Sequence, residues 1–304
     1  MNSENTKQSR LLRYSIIFSI IFAAAAFIVG FFTSSQVILF DGIFTLIGVV
    51  LTYFSILAVE FIKKKDFRNY PFGKDALEPF IVIVQYSIIL IVSVTNMVTA
   101  IQALFNGGND MDMQSGILYG IFSAILCLIA FLYLKYLAKK NTTAIIEVEI
   151  EQWRMSLLIS LSMLIGFSIA WIFTRTAWAP YVVYIDPALA ILFTLFFIRT
   201  AALSIRDSVK ELLYAAPAPE LTSLITEKVN HLNDVYDFTD MILRIGKVGQ
   251  KLVIEIDYII EANSKIDSIT AQDNLRAELD SSLSEIPYKK WLSISFTGSR
   301  KWAE

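Results

Sequence analysis

A six-helix membrane bundle followed by a small cytoplasmic α+β domain is the fold class that this 304-residue sequence predicts. The tail has the order α-β-β-α-β, ferredoxin-like in outline. Three observations predict this arrangement. Hydrophobic residues make up 55% of the chain and mean hydropathy is +0.57, above the apolar share of about 45–50% in soluble globular chains. Charge is unevenly placed, with 26 ionised residues in positions 1–200 and 28 in positions 201–304. Finally, the first part holds six apolar stretches near the ~20 residues a helix needs to cross a bilayer.

The stretches are residues 14–32, 37–62, 80–105, 117–137, 155–173 and 182–203. The first is too long for a signal peptide, and a second span follows at once. Lys and Arg set the orientation, because cytoplasmic loops carry the excess of both. Lys7, Arg10 and Arg13 precede the first span; Lys63, Lys64, Lys65, Arg68 and Lys74 separate the second from the third. Lys135, Lys139 and Lys140 end the fourth, while Arg199, Arg206 and Lys210 end the sixth. The opposite loops, 33–36, 106–114 and 174–181, hold Arg175 as their only basic residue. Both termini are therefore expected in the cytoplasm, in a plasma or bacterial inner membrane. Trp178 and Tyr181 suit an outer interface, where amphipathic rings sit at headgroup level. The cluster Lys63–Lys65 reads as an orientation signal, compatible also with anionic lipid.

The predicted domains are a cytoplasmic tail at 1–13, a transmembrane domain at 14–214 and a cytoplasmic domain at 215–304. Residues 199–214 continue span six as a polar helix until Pro217 and Pro219 break it. Leu221, Leu224, Ile225, Val229 and Leu232 then recur at helical spacing. Residues 241–245 and 252–260 read as strands joined by a turn at 247–250 containing Gly249. Residues 269–286 are helical, with Leu275, Leu279, Leu283 and Ile286 on one face, and Trp291, Ile294 and Phe296 mark a last strand. This order suits helices on one face of an antiparallel sheet. So small a domain has a thin core, which favours docking or dimerisation.

Several function classes are excluded. A net charge of -2 leaves no basic footprint for nucleic acid. Cys127 stands alone in an apolar run, without a disulfide framework. The single histidine, His231, excludes a His-rich metal cluster and reads as a surface or capping residue. No nucleophile elbow or phosphate-cradling glycine loop points to an enzyme; Gly107-Gly108 is a turn signal. No bound cofactor is expected.

Ionisable groups inside a span cost roughly 2.5–3.5 kcal/mol on insertion scales, so each needs a reason. Asp41 lies one turn into span two and Asp186 about one turn into span six, at similar depth below the outer face. Each is either part of a cation path or a local structural group. For Asp186 the local role is an N-cap, because Pro187 follows; for Asp41, which precedes Gly42, it is helix entry or packing. Glu147, Glu149 and Glu151 precede span five, with Glu147 and Glu151 on one face. They form either a solvated acidic helix end, favourable at an N-terminus, or a vestibule where hard cations enter.

Three stretches resemble one family. Ser35-Gln36-Val37-Ile38-Leu39-Phe40-Asp41-Gly42-Ile43-Phe44-Thr45 is similar to the span-two motif of the cation diffusion facilitators. Tyr70-Pro71-Phe72-Gly73-Lys74-Asp75-Ala76-Leu77-Glu78-Pro79 resembles their loop between spans two and three, the most specific match. Asp186-Pro187 with its apolar run, then Ser208-Val209-Lys210-Glu211-Leu212-Leu213, resembles the end of span six. The resemblance implies a homodimeric carrier that exports a divalent metal cation in exchange for protons by alternating access. It also implies a tetrahedral site of two i, i+4 pairs on spans two and five. Those positions fall here on Phe44 and Gly48, and on Glu151 and Met155 or Gln152 and Ser156. Asp41 is near the outer end of its span and Glu151 near the inner end of its own, so these residues close no four-ligand site. In the tail, the positions where the family holds metal carry Thr239, Asp240, Glu255, Asp257 and Ser295, without histidine. The expected metal path is then Asp41, Glu151 and Asp186. The alternative is a transport-inactive homologue acting as a regulatory or interaction protein.

Overall fold

The computed structural model describes residues 2–64, 66–109, 113–138, 144–261, 266 and 268–303. Six long helices come first: α1 (Asn2–Thr33), α2 (Gln36–Lys63), α3 (Leu77–Phe105), α4 (Met113–Ala138), α5 (Ala144–Phe173) and α6 (Ile185–Leu212). Among the described residues, five stretches are long and apolar enough to cross a membrane: Tyr14–Thr33, Leu77–Phe105, Met113–Tyr136, Trp153–Phe173 and Ala179–Leu212. The described apolar part of α2, Gln36–Leu51, is shorter. The count of six apolar spans is therefore met by six helices, five of which reach spanning length by this measure. The helices also outrun the apolar stretches at their polar ends, notably α1, α5 and α6. Backbone hydrogen bonding continues wherever side chains tolerate it, whereas apolarity marks only the segment that can leave water.

The chain forms two compact units, Met1–Leu57 with Gln85–Leu203, and Ala58–Val84 with Ser204–Glu304. In the first, α4 packs mainly on α5 and α1 around buried Phe22, Tyr119, Cys127, Met163 and Phe167. Gly42 lets α1 and α2 approach, since a Cβ there would lie 2.9 Å from the Ala26 Cβ; such small-residue contacts are the common packing device between helices in lipid. Ser34, at φ 55°, turns the chain between the two helices. Ser35 then caps α2 by accepting from the Ile38 N–H at 3.3 Å. Phe31, Phe32 and Phe105 stay more than three-quarters exposed, at 76%, 81% and 88%, the pattern of surface that meets hydrocarbon.

In the second unit, α7 (Pro219–Tyr236) is followed by β1 (Asp240–Val248), β2 (Lys251–Ile259), α8 (Ile269–Ser282) and β3 (Lys289–Thr297). Pro219 opens α7, and Asp237 in the left-handed region (φ 56°) closes it. Ser268 caps α8 by accepting from Ala271. The element order agrees with expectation, but the sheet is mixed rather than antiparallel. Strands β1 and β2 form an antiparallel hairpin, Ile245 opposite Ile254, and β3 runs parallel to β2. The reason is the crossover: α8 returns the chain to the end of the sheet where β2 began, so β3 must run in the same direction. Leu252, Ile254, Ile256 and Tyr258 alternate onto the covered face of β2, where Ile225 and Val229 of α7 and Leu275 and Leu279 of α8 share their core.

Candidate functional site

The first unit carries polar contacts between three helices. Asp41 of α2 is half-buried, and the Tyr119 hydroxyl of α4 donates to its Oδ2 at 2.8 Å. Helical spacing then puts Ser123 and Cys127 on the Tyr119 face of α4. Ser123 is in hydrogen-bond contact with Ser160 of α5. Ser160 also donates to the Ser156 carbonyl at 2.9 Å and has the Cys127 Sγ 3.7 Å away. Tyr119, Ser123, Cys127 and Ser160 are all 2% exposed or less. Sequence inspection singled out Asp41 but missed the hydroxyls, although the row Tyr119-Ser123-Cys127 at i, i+4, i+8 was the available signal.

Asp186 is built differently. It is 1% exposed, and its carboxylate accepts from three groups in other segments. The Ser35 hydroxyl donates to Oδ1 at 2.6 Å, while the Gln36 N–H and the Asn109 side-chain amide donate to Oδ2, each at 3.0 Å. The N-cap expectation is thereby corrected: Asp186 sits inside the first turn of α6 and fastens the start of α2 and the loop before α4. Its carboxylate is engaged because three donors from sequence-distant segments converge on it, which no local propensity reveals. Asp41 and Asp186 thus have separate partners rather than a shared pocket.

At the positions where the resemblance implies ligands, Phe44 packs on Phe197 of α6 with ring centroids 4.1 Å apart, and Phe40 lies 5.8 Å from Phe197. A Cβ at Gly48 would have no atom within 4 Å. Met155 is exposed. The side chains of Glu147, Glu149, Glu151 and Gln152 lie outside the described residues, as do those of Lys7, Arg10, Arg13, Lys63, Lys65, Lys139 and Lys140. Among the described residues, no three His, Cys, Asp or Glu side chains come together as a metal site.

In the second unit, the loop with the most specific motif is tied to the sheet. Asp75 is buried and pairs with Lys251 at 3.0 Å and Lys289 at 3.6 Å. Lys251 also donates to the Phe72 carbonyl and lies over the Trp291 ring. Lys74 donates to the carbonyls of Phe61 and Lys64 at the end of α2, at 3.3 and 3.1 Å, and sits 3.8 Å from the Phe61 ring centre. In the same loop, Asn69 donates to Asp66 and holds that carboxyl below its ordinary range. The Gly249 turn, at φ 53°, approaches so closely that a Cβ would lie 2.7 Å from the Asp75 carbonyl oxygen. Two of the three tail carboxylates at the positions where the resemblance implies metal are held by arginines: Asp257 accepts from Arg244 at 2.7 Å, and Asp240 pairs with Arg300. Thr239, Glu255 and Ser295 are exposed, as is His231, which lines an open groove along α7 with Glu227 and Asp234.

A family model described as the cation efflux transmembrane domain matches residues 12–213. No curated protein matches the chain at a significant level.

Proposed function

The chain belongs to the cation efflux family, and from that premise we propose that it exports a divalent metal cation from the cytoplasm in exchange for protons. It is a multi-pass membrane protein of a cation efflux type; the identity of the cargo and the exchange are the proposal. The observation that carries it is the match over residues 12–213, which takes in five of the six long helices whole and α1 from residue 12. In this reading both termini face the cytoplasm, the protein works as a homodimer, and it is a carrier rather than an enzyme.

Asp41 is the group on which transport depends, since a carboxylate inside an apolar helix needs compensation and its described partner is one neutral hydroxyl. Cation and proton compete for its oxygens. Asp186 supports the same helix from its outer end. Oxygen donors without imidazole favour harder cations over tightly held zinc. The test is a flux and binding panel of Zn²⁺, Mn²⁺, Fe²⁺ and Co²⁺ on the full chain in proteoliposomes. Asp41→Asn abolishes flux; unchanged flux in that variant sinks the reading.

A second reading is favoured by Phe44 and Gly48, which offer no ligand where the family resemblance implies a site. The chain is then a scaffold homologue with a regulatory or interaction role. Absence of both binding and flux across the panel supports it, and stoichiometric binding excludes it.

A further inference from the structure

We propose that Lys64, Phe67 and Arg68, on the loop between α2 and α3, bind the headgroups of anionic phospholipid in the leaflet that this loop meets. The chain passes there through Lys63-Lys64-Lys65-Asp66-Phe67-Arg68, four bases and one acid in six residues, directly after the apolar run that ends at Ile62. The stretch is therefore held at headgroup level, where a basic cluster beside a spanning helix attracts anionic lipid. In the orientation proposed above this is the cytoplasmic leaflet, the one rich in acidic lipid. The inference is independent of which cation the protein carries.

The same bases orient the helices during insertion; the arrangement of charge in the folded loop gives them a second role. A basic residue at the end of a helix ordinarily serves the last carbonyls. Here that task belongs to Lys74, which is 7% exposed and donates to the carbonyls of Phe61 and Lys64 at 3.3 and 3.1 Å. Its ammonium also lies 3.8 and 4.8 Å from the Phe61 and Tyr70 ring centres. The one acid, Asp66, accepts from the Asn69 side chain at 3.0 Å and from the Asn69 N–H at 3.2 Å. Lys64 and Arg68 stay exposed, and among the described residues neither side chain has a carboxylate or hydrogen-bond partner. Lys247 and Lys251, by contrast, pair with Glu211 and Asp75. Between the two free bases in the chain stands Phe67, 67% exposed. A ring flanked by bases fits the membrane boundary, with the ring among the upper acyl carbons and the cations at the phosphates. The Tyr70 N–H donates to the Asp66 carbonyl at 2.9 Å and the Gly73 N–H to the Tyr70 carbonyl at 3.0 Å. These bonds fix the turns beforehand, so little ordering cost falls on binding.

The test uses the full chain in neutral detergent micelles, with energy transfer from its tryptophans to phosphatidylglycerol labelled on the acyl chain. Equally labelled phosphatidylcholine is the neutral comparison. The wild type is expected to take phosphatidylglycerol about 25-fold or more tightly than phosphatidylcholine. Lys64→Gln combined with Arg68→Gln lowers phosphatidylglycerol affinity about 25-fold, about fivefold for each base, and leaves phosphatidylcholine unchanged. Lys64→Arg combined with Arg68→Lys keeps the preference, as does Lys301→Gln in the tail. Phe67→Ser weakens both lipids by the same factor, and unaltered affinity there overturns the part given to the ring. Equal affinity of the wild type for the two lipids, or an unchanged preference in the double glutamine variant, overturns the proposal. If inorganic phosphate displaces phosphatidylglycerol at equal concentration, the loop is a site for soluble phosphate and the proposal is wrong. It is equally wrong if light scattering shows a wild-type dimer that the double variant splits while lipid affinity stays the same, since the face then joins two copies. Should the double variant fail to fold, salt decides on the wild type. Between about 0.1 M and about 1 M the screening length falls from about 10 Å to about 3 Å, and phosphatidylglycerol affinity that does not fall with it overturns the proposal.

Discussion

Replacing Asp186 with alanine strands three donors at once: the Ser35 hydroxyl, the Gln36 N–H and the Asn109 amide, held at 2.6, 3.0 and 3.0 Å. Interhelical hydrogen bonds in membrane proteins average ~0.6 kcal/mol, so simple loss of three gives about 2 kcal/mol. A buried donor left unpaired costs more, about 1–3 kcal/mol each. The Ser35 hydroxyl can rotate to a new acceptor and the Gln36 N–H lies in a first helical turn, so the sum falls short of that maximum. Asp186→Ala should therefore cost about 2–5 kcal/mol. Asp186→Asn keeps one acceptor oxygen and should cost about 1–2 kcal/mol. At about 2–4 °C per kcal/mol for a unit of this size, the alanine variant melts roughly 4–20 °C lower. The assay is thermal unfolding of the full chain in detergent, with flux measured well below both melting points. The fastening role predicts that Asp186→Asn transports at low temperature. An unchanged Tm, or flux lost in Asp186→Asn at unchanged Tm, would refute the reasoning and make Asp186 a cation ligand.

Two further outcomes concern the second unit. Tyr258 is fully buried with no hydrogen-bond partner for its hydroxyl among the described residues, so Tyr258→Phe should be neutral or stabilise by up to about 1 kcal/mol in denaturant unfolding. Burial also pushes the Tyr258 hydroxyl up from 10.0 to about 12. Between those values the folded form keeps the proton that the unfolded chain loses, so stability is full below pH 10 and falls as pH rises toward 12. Tyr258→Phe should flatten that fall, and an equal slope in both proteins would contradict it. Asp75→Asn weakens the pairing to Lys251 and Lys289 but leaves Lys251 its contacts with Phe72 and Trp291. A loss of about 1–2 kcal/mol should appear as faster amide exchange over residues 70–80, and unchanged exchange there would count against the docking of this loop.

How far the site could be read in advance depended on the range of each interaction. Asp41 stood out because a carboxylate in an apolar run is anomalous by composition alone, and the misfit of Phe44 and Gly48 showed from residue type. The partners did not show. Ser123 and Ser160 are unremarkable serines until α4 and α5 pack face to face, and Asn109 reads as a loop residue until its amide meets Asp186. For Asp186 a local rule, Asp before Pro, pointed to a cap, and a stronger set of long-range donors took the carboxylate instead.

Periodicity and charge by themselves determined the helical apolar part, the α-β-β-α-β tail, the β-turn at Gly249 and the breaks at Pro217 and Pro219. These follow from forces that act within a few residues or along one face of one element. Only the tertiary structure decided that β3 lies parallel to β2, that the 58–84 segment belongs with the tail through Asp75, and that Asp41 meets the Tyr119 hydroxyl. Each of these is a meeting of groups far apart in sequence. A buried carboxylate or hydroxyl must be satisfied, but which group satisfies it is fixed only when the helices and strands have packed.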